Sequence, residues 1–314
     1  MDKSAAAPRR EQIAAWLNIF RRAAENPVII KELRGRMRGR RAFIFLTLYL
    51  VVIGLFISTI YSVVAAQAGL VQADPSFRQT LGKIIFSSVV LFEFLMIGFI
   101  GPALTAGAIT SERERQTFDL LRTTLLSARS LVYGKLGSAC MYLLLLILTA
   151  LPIEALAFLL GGVGLEELLV SSLILVVNTV FFCTLGLFCS SFSKRTLTAT
   201  VTSYATILLS VLGLGLTIFV MGASGATNLG SGLTPLAFAA LIVMWLLAAS
   251  NPFSAAIVSE VFLIQDQTLF LDKIPLGGQT IYLVSPWILH VVFYLALTAL
   301  MIILTIQNVK RPDR

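Results

Sequence analysis

Charged residues are scarce in this 314-residue chain. They make up 13% of it, against about 25% in an average soluble domain, while hydrophobic residues make up 57%. A composition with so little charge excludes an ordinary soluble domain. Histidine occurs once and cysteine three times, and neither shows the spacing of a zinc site or of a disulfide framework. The composition instead indicates a polytopic membrane protein with little mass outside the bilayer.

Long apolar runs account for most of the sequence. A spanning helix needs about 20 mainly apolar residues. Six runs reach this length, at residues 43–64, 84–109, 132–163, 168–192, 198–221 and 286–307. A seventh, 235–249, is short for a span and is predicted to be a re-entrant or interfacial element, with an extra span as the alternative. We therefore predict an all-α polytopic membrane protein, with six transmembrane helices in a domain of residues 43–308.

The positive charges, which give a net charge of +8, are grouped by predicted membrane side. Of the 24 Lys and Arg residues, 21 lie in residues 1–42, in the 109–136 loop, at 194–195 or in the basic tail 309–314. Basic loops are typically retained in the cytoplasm. Both termini and the 109–136 loop are therefore predicted to be cytoplasmic, in a multi-pass protein of the plasma (inner) membrane. This distribution explains the basic charge without nucleic-acid binding.

Residues 1–42 are predicted to form a cytoplasmic amphipathic region. Ile29, Ile30, Leu33 and Met37 fall on one face of a helix, and basic residues surround them. Such a helix suits the headgroup layer of an anionic inner leaflet. A generic basic anchor ahead of the first span is the plainer alternative.

The loop at 109–136 places charged residues between two apolar runs. Ser111 and Glu114 have the spacing of a capping box, which predicts a helix that begins there and continues through Thr117. Ser127 and Ser130 are candidate N-caps of the next helix. An apolar edge is formed by Phe118, Leu120, Leu121 and Leu125. Exposed apolar residues rimmed by charge suggest a partner surface, and a lipid-facing edge is the alternative.

The stretch ITSERERQTFDLLRTTLLSARSLVYGKL, residues 109–136, resembles the segment between spans two and three of ABC transporter permeases of the type-2 export class. The matching residues are Ile109, Glu112, Arg113, Glu114, Thr117, Leu120, Leu121, Thr123, Thr124, Ser127, Gly134 and Lys135. Gln116 and Leu126 depart from the pattern, at positions where Gly and Pro are usual. Residues 26–43 and the last span with its basic tail are similar to the same family.

The resemblance implies a permease subunit of an ATP-driven exporter, not an enzyme. In this family the helix after span two is a coupling helix, seated in a groove of a separate ATPase subunit. The contacting residues would be Glu112, Arg113, Glu114, Thr117, Phe118, Leu120, Leu121 and Thr123. An elbow helix would also approach the ATPase, with Asn26, Pro27, Glu32, Arg34 and Arg38. A second permease copy or a related permease would complete the pathway.

No ATP-binding P-loop occurs in the sequence. That motif needs G-x-x-x-x-G-K followed by Ser or Thr. Gly134-Lys135 comes closest, but Arg129 replaces the first glycine and Leu136 replaces the Ser or Thr. We expect this chain to bind no cofactor of its own, and ATP and Mg to be used by the partner ATPase.

Glu93 lies well inside the second predicted span, Glu154 inside the third and His290 in the last. A charge at the bilayer centre costs roughly 2.5–3.5 kcal/mol on insertion scales, so each should face the bundle interior. Glu93 and Glu154 are possible pathway residues, and polar contacts between helices are the plainer alternative. They also support an alternative function, a self-sufficient secondary transporter or channel, which would leave the 109–136 loop unexplained.

Overall fold

The computed structural model describes residues 27–37, 40–68, 75–118, 127–226, 235–251, 254–255, 258–259, 270–276 and 279–310. Five of the predicted site residues lie outside these ranges, namely Asn26, Arg38, Leu120, Leu121 and Thr123. Predictions that concern them stay predictions.

The described chain is almost entirely helical. In order, its elements are α1 (Pro27–Met37), α2 (Arg40–Ala68), α3 (Pro75–Thr105), α4 (Thr110–Glu114), α5 (Ala128–Leu159), α6 (Leu165–Phe192), α7 (Thr196–Ala226), α8 (Pro235–Ser250), β1 (Leu271–Leu276), β2 (Gln279–Val284) and α9 (Pro286–Lys310). Within the described residues, six helices are long and apolar enough to cross a membrane: α2, α3, α5, α6, α7 and α9. The six predicted spans are confirmed.

Helix α6 forms the centre of the bundle. In its apolar 18-residue window 61% of the residues are buried, compared with 11% in the corresponding windows of α2 and of Thr196–Gly213 in α7. It packs mainly against α3 and α9. At the contact with α3, the Phe94 and Phe182 rings meet edge to face with centroids 5.9 Å apart. A side chain on Gly101 would meet the Phe182 Cβ at 3.2 Å, so the small residue permits the close helix approach that membrane bundles use.

Helix α8 is too short to span the bilayer. Its 16 residues extend about 24 Å at 1.5 Å per residue, less than a hydrocarbon core of about 30 Å. Its role as a re-entrant or interfacial element stays a prediction. The helix packs on α7 and α9, and the Trp245 indole N–H donates to the Val284 carbonyl at 2.7 Å.

A β-hairpin precedes the last span and was not part of the all-α prediction. Strands β1 and β2 pair antiparallel, with Leu271 opposite Val284 and Ile274 opposite Ile281. Residues 277–278, both glycine, separate the two strands in the sequence. The hydropathy pattern did not predict these two six-residue strands, because their region mixes polar and apolar residues and has no apolar run long enough for a span.

His290 links three helices by hydrogen bonds. Its Nδ1 lies 3.1 Å from the Ala249 carbonyl, and its Nε2 lies 3.0 Å from the Asn178 amide nitrogen. A neutral ring with its proton on Nδ1 satisfies both contacts. One turn along α9, the Tyr294 hydroxyl donates to the Ser250 carbonyl at 2.9 Å. The two side chains thus satisfy carbonyls that the end of α8 leaves without helical partners, which favours a structural role for His290.

Replacement of His290 by leucine is expected to destabilise the protein by about 1–3 kcal/mol, because a buried carbonyl and a buried amide lose their partner. Unfolding in detergent, followed by circular dichroism, measures this loss. Thr298→Val on the same helix is the matched control, since the buried Thr298 hydroxyl has no hydrogen-bond partner among the described residues. Equal losses in both variants would contradict the structural role of His290.

Candidate functional site

The candidate site lies at one end of the bundle, which we call the basic end: the end that carries α1, α4 and the start of α5. Here the chain leaves α3, makes a tight turn through residues 106–109 and enters α4. We call Ile109–Phe118 the coupling segment, after the role that the family resemblance implies for it. Its first half, Ile109–Glu114, makes several contacts with neighbouring helices.

The capping box predicted at Ser111 and Glu114 is wrong. Helix α4 begins at Thr110, and its N-cap residue makes no side-chain cap. Ser190 of α6 provides the acceptor instead: its hydroxyl oxygen receives the N–H groups of Ile109 at 2.9 Å and of Thr110 at 3.1 Å. The start of the coupling segment is therefore anchored to the central helix of the bundle.

Glu114 caps a different helix from its own. Its carboxylate accepts the backbone N–H of Thr196 at 2.7 Å and the Thr196 hydroxyl at 2.9 Å. Thr196 is the first residue of α7. A carboxylate at this point satisfies a free N–H group and interacts favourably with the helix dipole. Glu114 thereby ties the coupling segment to the start of α7.

Arg113 joins the coupling segment to the end of α6. Its Nη1 donates to the Ser191 carbonyl at 3.0 Å and to the Ser193 carbonyl at 3.1 Å. Carbonyls at a helix C-terminus lack helical partners, and a cation there is favourable. The guanidinium carbon also lies 5.2 Å from the centroid of the Phe118 ring, which is 3% exposed. Phe118 is thus part of the protein core.

The coupling segment turns sharply at Gln116. The predicted helix through Thr117 is wrong, because α4 ends at Glu114 and Gln116 has a φ of +58°. This left-handed conformation favours glycine, the residue that is usual here in the family pattern. The Thr117 hydroxyl closes the turn by donating to the Glu112 carboxylate at 2.6 Å.

Lys135 connects three elements of the basic end. Its ammonium nitrogen lies 3.7 Å from a Glu32 carboxylate oxygen on α1 and 3.6 Å from one of Glu112 on α4. The lysine itself belongs to α5 and is 6% exposed. A buried cation needs such partners, and ion pairs away from water are poorly screened.

The glycine before Lys135 lets α1 reach α5. A side chain at Gly134 would meet the Val28 Cβ at 2.6 Å, and one at Gly137 would meet the Ile29 Cδ1 at 3.1 Å. The Gly-Lys pair of the family pattern therefore has a physical role here. Glycine admits the elbow helix, and lysine then pairs with its Glu32.

Helix α1, the predicted elbow helix, packs on the bundle through Ile29, which is buried against α5, whereas Ile30 and Met37 are exposed. The predicted contact of its apolar face with the headgroup layer stays a prediction. Arg36 donates to the Leu104 carbonyl at 3.1 Å, close to the end of α3. Arg34 is exposed. Pro27 begins the helix, a position where its missing N–H costs nothing.

Sequence reasoning found the coupling segment but missed most of its internal partners. The predicted contact residues that the structure describes all contact other residues of this chain: Glu112, Arg113, Glu114, Thr117 and Phe118. Glu114 is exposed as well, as are Arg115 and Gln116. The missed partners are Ser190, Ser191, Ser193 and Thr196, about 80 residues away along the chain. Nothing local in the sequence marks them. Lys135 was visible, because the family pattern contains it.

The structure also brings Glu93 and Glu154 together, far from the basic end. Both are 1% exposed, and the two carboxyl groups are close enough to act on each other electrostatically. The Tyr49 hydroxyl donates to Glu93 Oε1 at 3.3 Å. Glu93 Oε2 and both oxygens of Glu154 have no hydrogen-bond partner among the described residues. His290 does not join this pair, since its ring contacts Asn178 and Ala249.

Gly134→Ala is expected to destabilise the protein by about 1–3 kcal/mol, the usual cost of overpacking, and to loosen α1. Thermal unfolding and limited proteolysis after α1 measure the two effects. Gly54→Ala is the matched control, because nothing lies within 4 Å of the site of its new Cβ and alanine is the better helix former. A Gly134→Ala variant as stable and protease-resistant as the control would contradict the close packing of α1.

Gln116→Gly is expected to stabilise the protein by up to about 1 kcal/mol, because a side chain in the left-handed region costs roughly 1–2 kcal/mol and glycine loses part of this gain as chain entropy. The neighbouring Arg115→Gly should have the opposite sign, since Arg115 has a φ of −83°. Unfolding midpoints of the two variants test the difference. A loss of stability in Gln116→Gly would contradict the observed turn.

Comparison with known proteins agrees with this geometry. The family model described as ABC-2 family transporter protein matches residues 27–306, from the start of α1 into the last turns of α9. No curated protein matches the sequence significantly. The matched range includes the elbow helix, the coupling segment and all six spans, and covers most of the 314 residues. The chain therefore belongs to the ABC-2 family and is a membrane component of an ABC transporter.

Proposed function

We propose that this chain is the permease subunit of an ATP-driven exporter, and that its coupling segment transmits movement from a separate ATPase subunit. One observation supports the proposal: the coupling segment contacts α5, α6 and α7 simultaneously. Glu112 contacts Lys135 of α5, Arg113 contacts the end of α6, and Glu114 caps α7. A force applied to the segment would move three spans.

These contacts should resist movement of the coupling segment relative to the three helices. Each includes a charged side chain, and hydrogen bonds to charged groups are shorter and stronger than neutral ones. The contacts of Glu114 with Thr196 measure 2.7 and 2.9 Å. A loop that served only to join two spans would need none of them.

The exposed turn of the segment offers a surface to the ATPase. Arg115 and Gln116 point away from the bundle, and Glu114 is exposed beside them. Leu120, Leu121 and Thr123, which follow outside the described residues, remain predicted contacts. Glu112, Arg113, Thr117 and Phe118 would support this surface from behind. ATP and Mg would bind to the ATPase, since this sequence has no P-loop.

The flank of α7 suits a second permease copy. This span is among the two least buried in the bundle, and Thr198 and Thr202 are exposed one turn apart on it. Hydroxyl and small residues on a lipid-facing surface are typical of helix–helix contacts. Beside them, a cavity of about 700 Å³ lies between α3 and α7, lined by residues that include Gly98 and Tyr204. A second copy here would enclose a largely apolar space.

The proposed orientation places the basic end in the cytoplasm of a cell bounded by a plasma (inner) membrane. The basic residues of α1, α4 and the start of α5 share this end, as the positive-inside rule requires. Both termini would then be cytoplasmic, because α1 and the end of α9 lie on the same side of an even number of spans.

Co-purification from native membranes tests the ATPase partner. A nucleotide-hydrolysing subunit should remain bound to the unaltered chain, and native mass spectrometry should find two permease and two ATPase chains. Arg115→Glu reverses an exposed charge of the coupling segment and is expected to weaken retention about tenfold, the factor that corresponds to 1.4 kcal/mol.

Glu166→Lys is the matched control. It reverses an exposed charge in the first turn of α6, at the opposite end of that span from the coupling segment, and should leave retention unchanged. Equal loss in both variants would point to general destabilisation and contradict the proposed contact. Absence of any ATPase from the unaltered chain under gentle conditions would refute the permease function and favour a self-sufficient transporter.

A further inference from the structure

Glu93 and Glu154 bring two carboxyl groups, each able to carry a negative charge, together inside the bundle. Glu93 belongs to α3 and Glu154 to α5, and both side chains are 1% exposed inside the spanning bundle. Helices α3 and α5 pack directly against each other, and the two carboxyl groups act on each other.

Among the described residues, no positive charge compensates the pair. The titratable groups that act on either carboxyl are Tyr49 from α2, Glu93 from α3 and Glu154 from α5, with no Lys or Arg among the described residues. Two carboxylates side by side in an apolar site cannot both remain ionised. A buried charge must be paired, coordinated or neutralised.

The two carboxyl groups also lack enough hydrogen-bond donors among the described residues. Tyr49 supplies one donor, to Glu93 Oε1. Glu93 Oε2 and both oxygens of Glu154 are buried without a partner among the described residues. Buried polar atoms in proteins are nearly always bonded. A group that donates a hydrogen bond between the two carboxyls is therefore missing, and an ionised glutamate cannot provide it.

We propose that Glu93 and Glu154 form a proton-binding site, in which a single proton is held between the two carboxyl groups. The protonated glutamate donates its O–H to the other, which stays ionised and also accepts from Tyr49. One bound proton removes the repulsion and supplies the missing donor. The site then carries one negative charge instead of two.

The position of the site links it to movement of the spans. Glu93 and Glu154 bridge α3 and α5, the two helices on either side of the coupling segment. If these helices part and admit water, both carboxyls can ionise and the shared proton passes to water. When they close, one proton is taken up again. This second step rests on the proposed function, whereas the resting proton site does not.

Infrared spectroscopy of the full chain in lipid nanodiscs, with ¹³C-labelled glutamate, tests the site. The unaltered chain should show a carboxylic-acid C=O band equivalent to one protonated glutamate per chain at neutral pH. Glu93→Gln/Glu154→Gln should abolish it, and its paired amides can keep a hydrogen bond across the interface. Glu166→Gln, at an exposed carboxylate, should leave the band intact.

Three results would overturn the proposal. Absence of the band from the unaltered chain would mean that both carboxylates are ionised and that a cation neutralises them. A band equivalent to two glutamates would mean that no proton is shared. Persistence of the band in the double variant would place the proton elsewhere. If the double variant does not fold, the band intensity of the unaltered chain still decides between these cases.

The same band tests proton release. In the complex with the ATPase, ATP binding is expected to reduce the band, and an unchanged band would refute release while leaving the resting site in place. The measurement without ATPase needs no partner, so failure of the proposed function and failure of the proton site give different results.

Discussion

A buried lysine between two glutamates holds the basic end of the protein together. Lys135 is removed from water and lies between Glu32 and Glu112. A buried charge needs a nearby partner, and Lys135 receives one carboxylate from each of two other elements. The three residues come from α5, α1 and α4, so the elbow helix and the coupling segment share one anchor. This arrangement depends on Gly134, since a side chain there would displace Val28 and the Glu32 that follows it on α1.

The remaining fastenings of the coupling segment converge on α6 and the helix that follows it. Ser190 receives two N–H groups from the start of the segment, and Arg113 binds carbonyls at the end of α6. Since α6 is the most buried span, it is the one least able to move independently of its neighbours. The segment is therefore joined to the bundle core, and its displacement should move packed helices as a body, as in hinge and shear motions.

Sequence reasoning predicted the features that depend on local sequence and missed those that depend on contacts between residues far apart in the chain. Spans were predictable because burial in lipid requires a long apolar run, which is a local property. The caps of α4 and α7 were not. Ser111 and Glu114 have a spacing that would serve a capping box, yet Glu114 bonds Thr196, 82 residues away. Likewise, the sequence alone did not show that Ile29 is buried and Ile30 exposed, because this difference depends on how α1 packs against Gly134 and Gly137.

The buried ionisable residues show why identity and hydropathy alone do not assign a role. His290, Glu93 and Glu154 satisfy the same description in the sequence, a titratable group inside an apolar run. His290 has a partner for each ring nitrogen, and a neutral imidazole needs no further group. Within the part of the chain that the structure describes, the glutamates have three oxygens without hydrogen-bond partners and no cation acting on them. A neutral group whose hydrogen bonds are all satisfied, such as His290, can be explained by packing alone. Two neighbouring carboxyl groups with unsatisfied oxygens require a further ligand. Between two carboxyl groups that are buried away from water, a proton is the smallest ligand that neutralises one charge and supplies a hydrogen-bond donor.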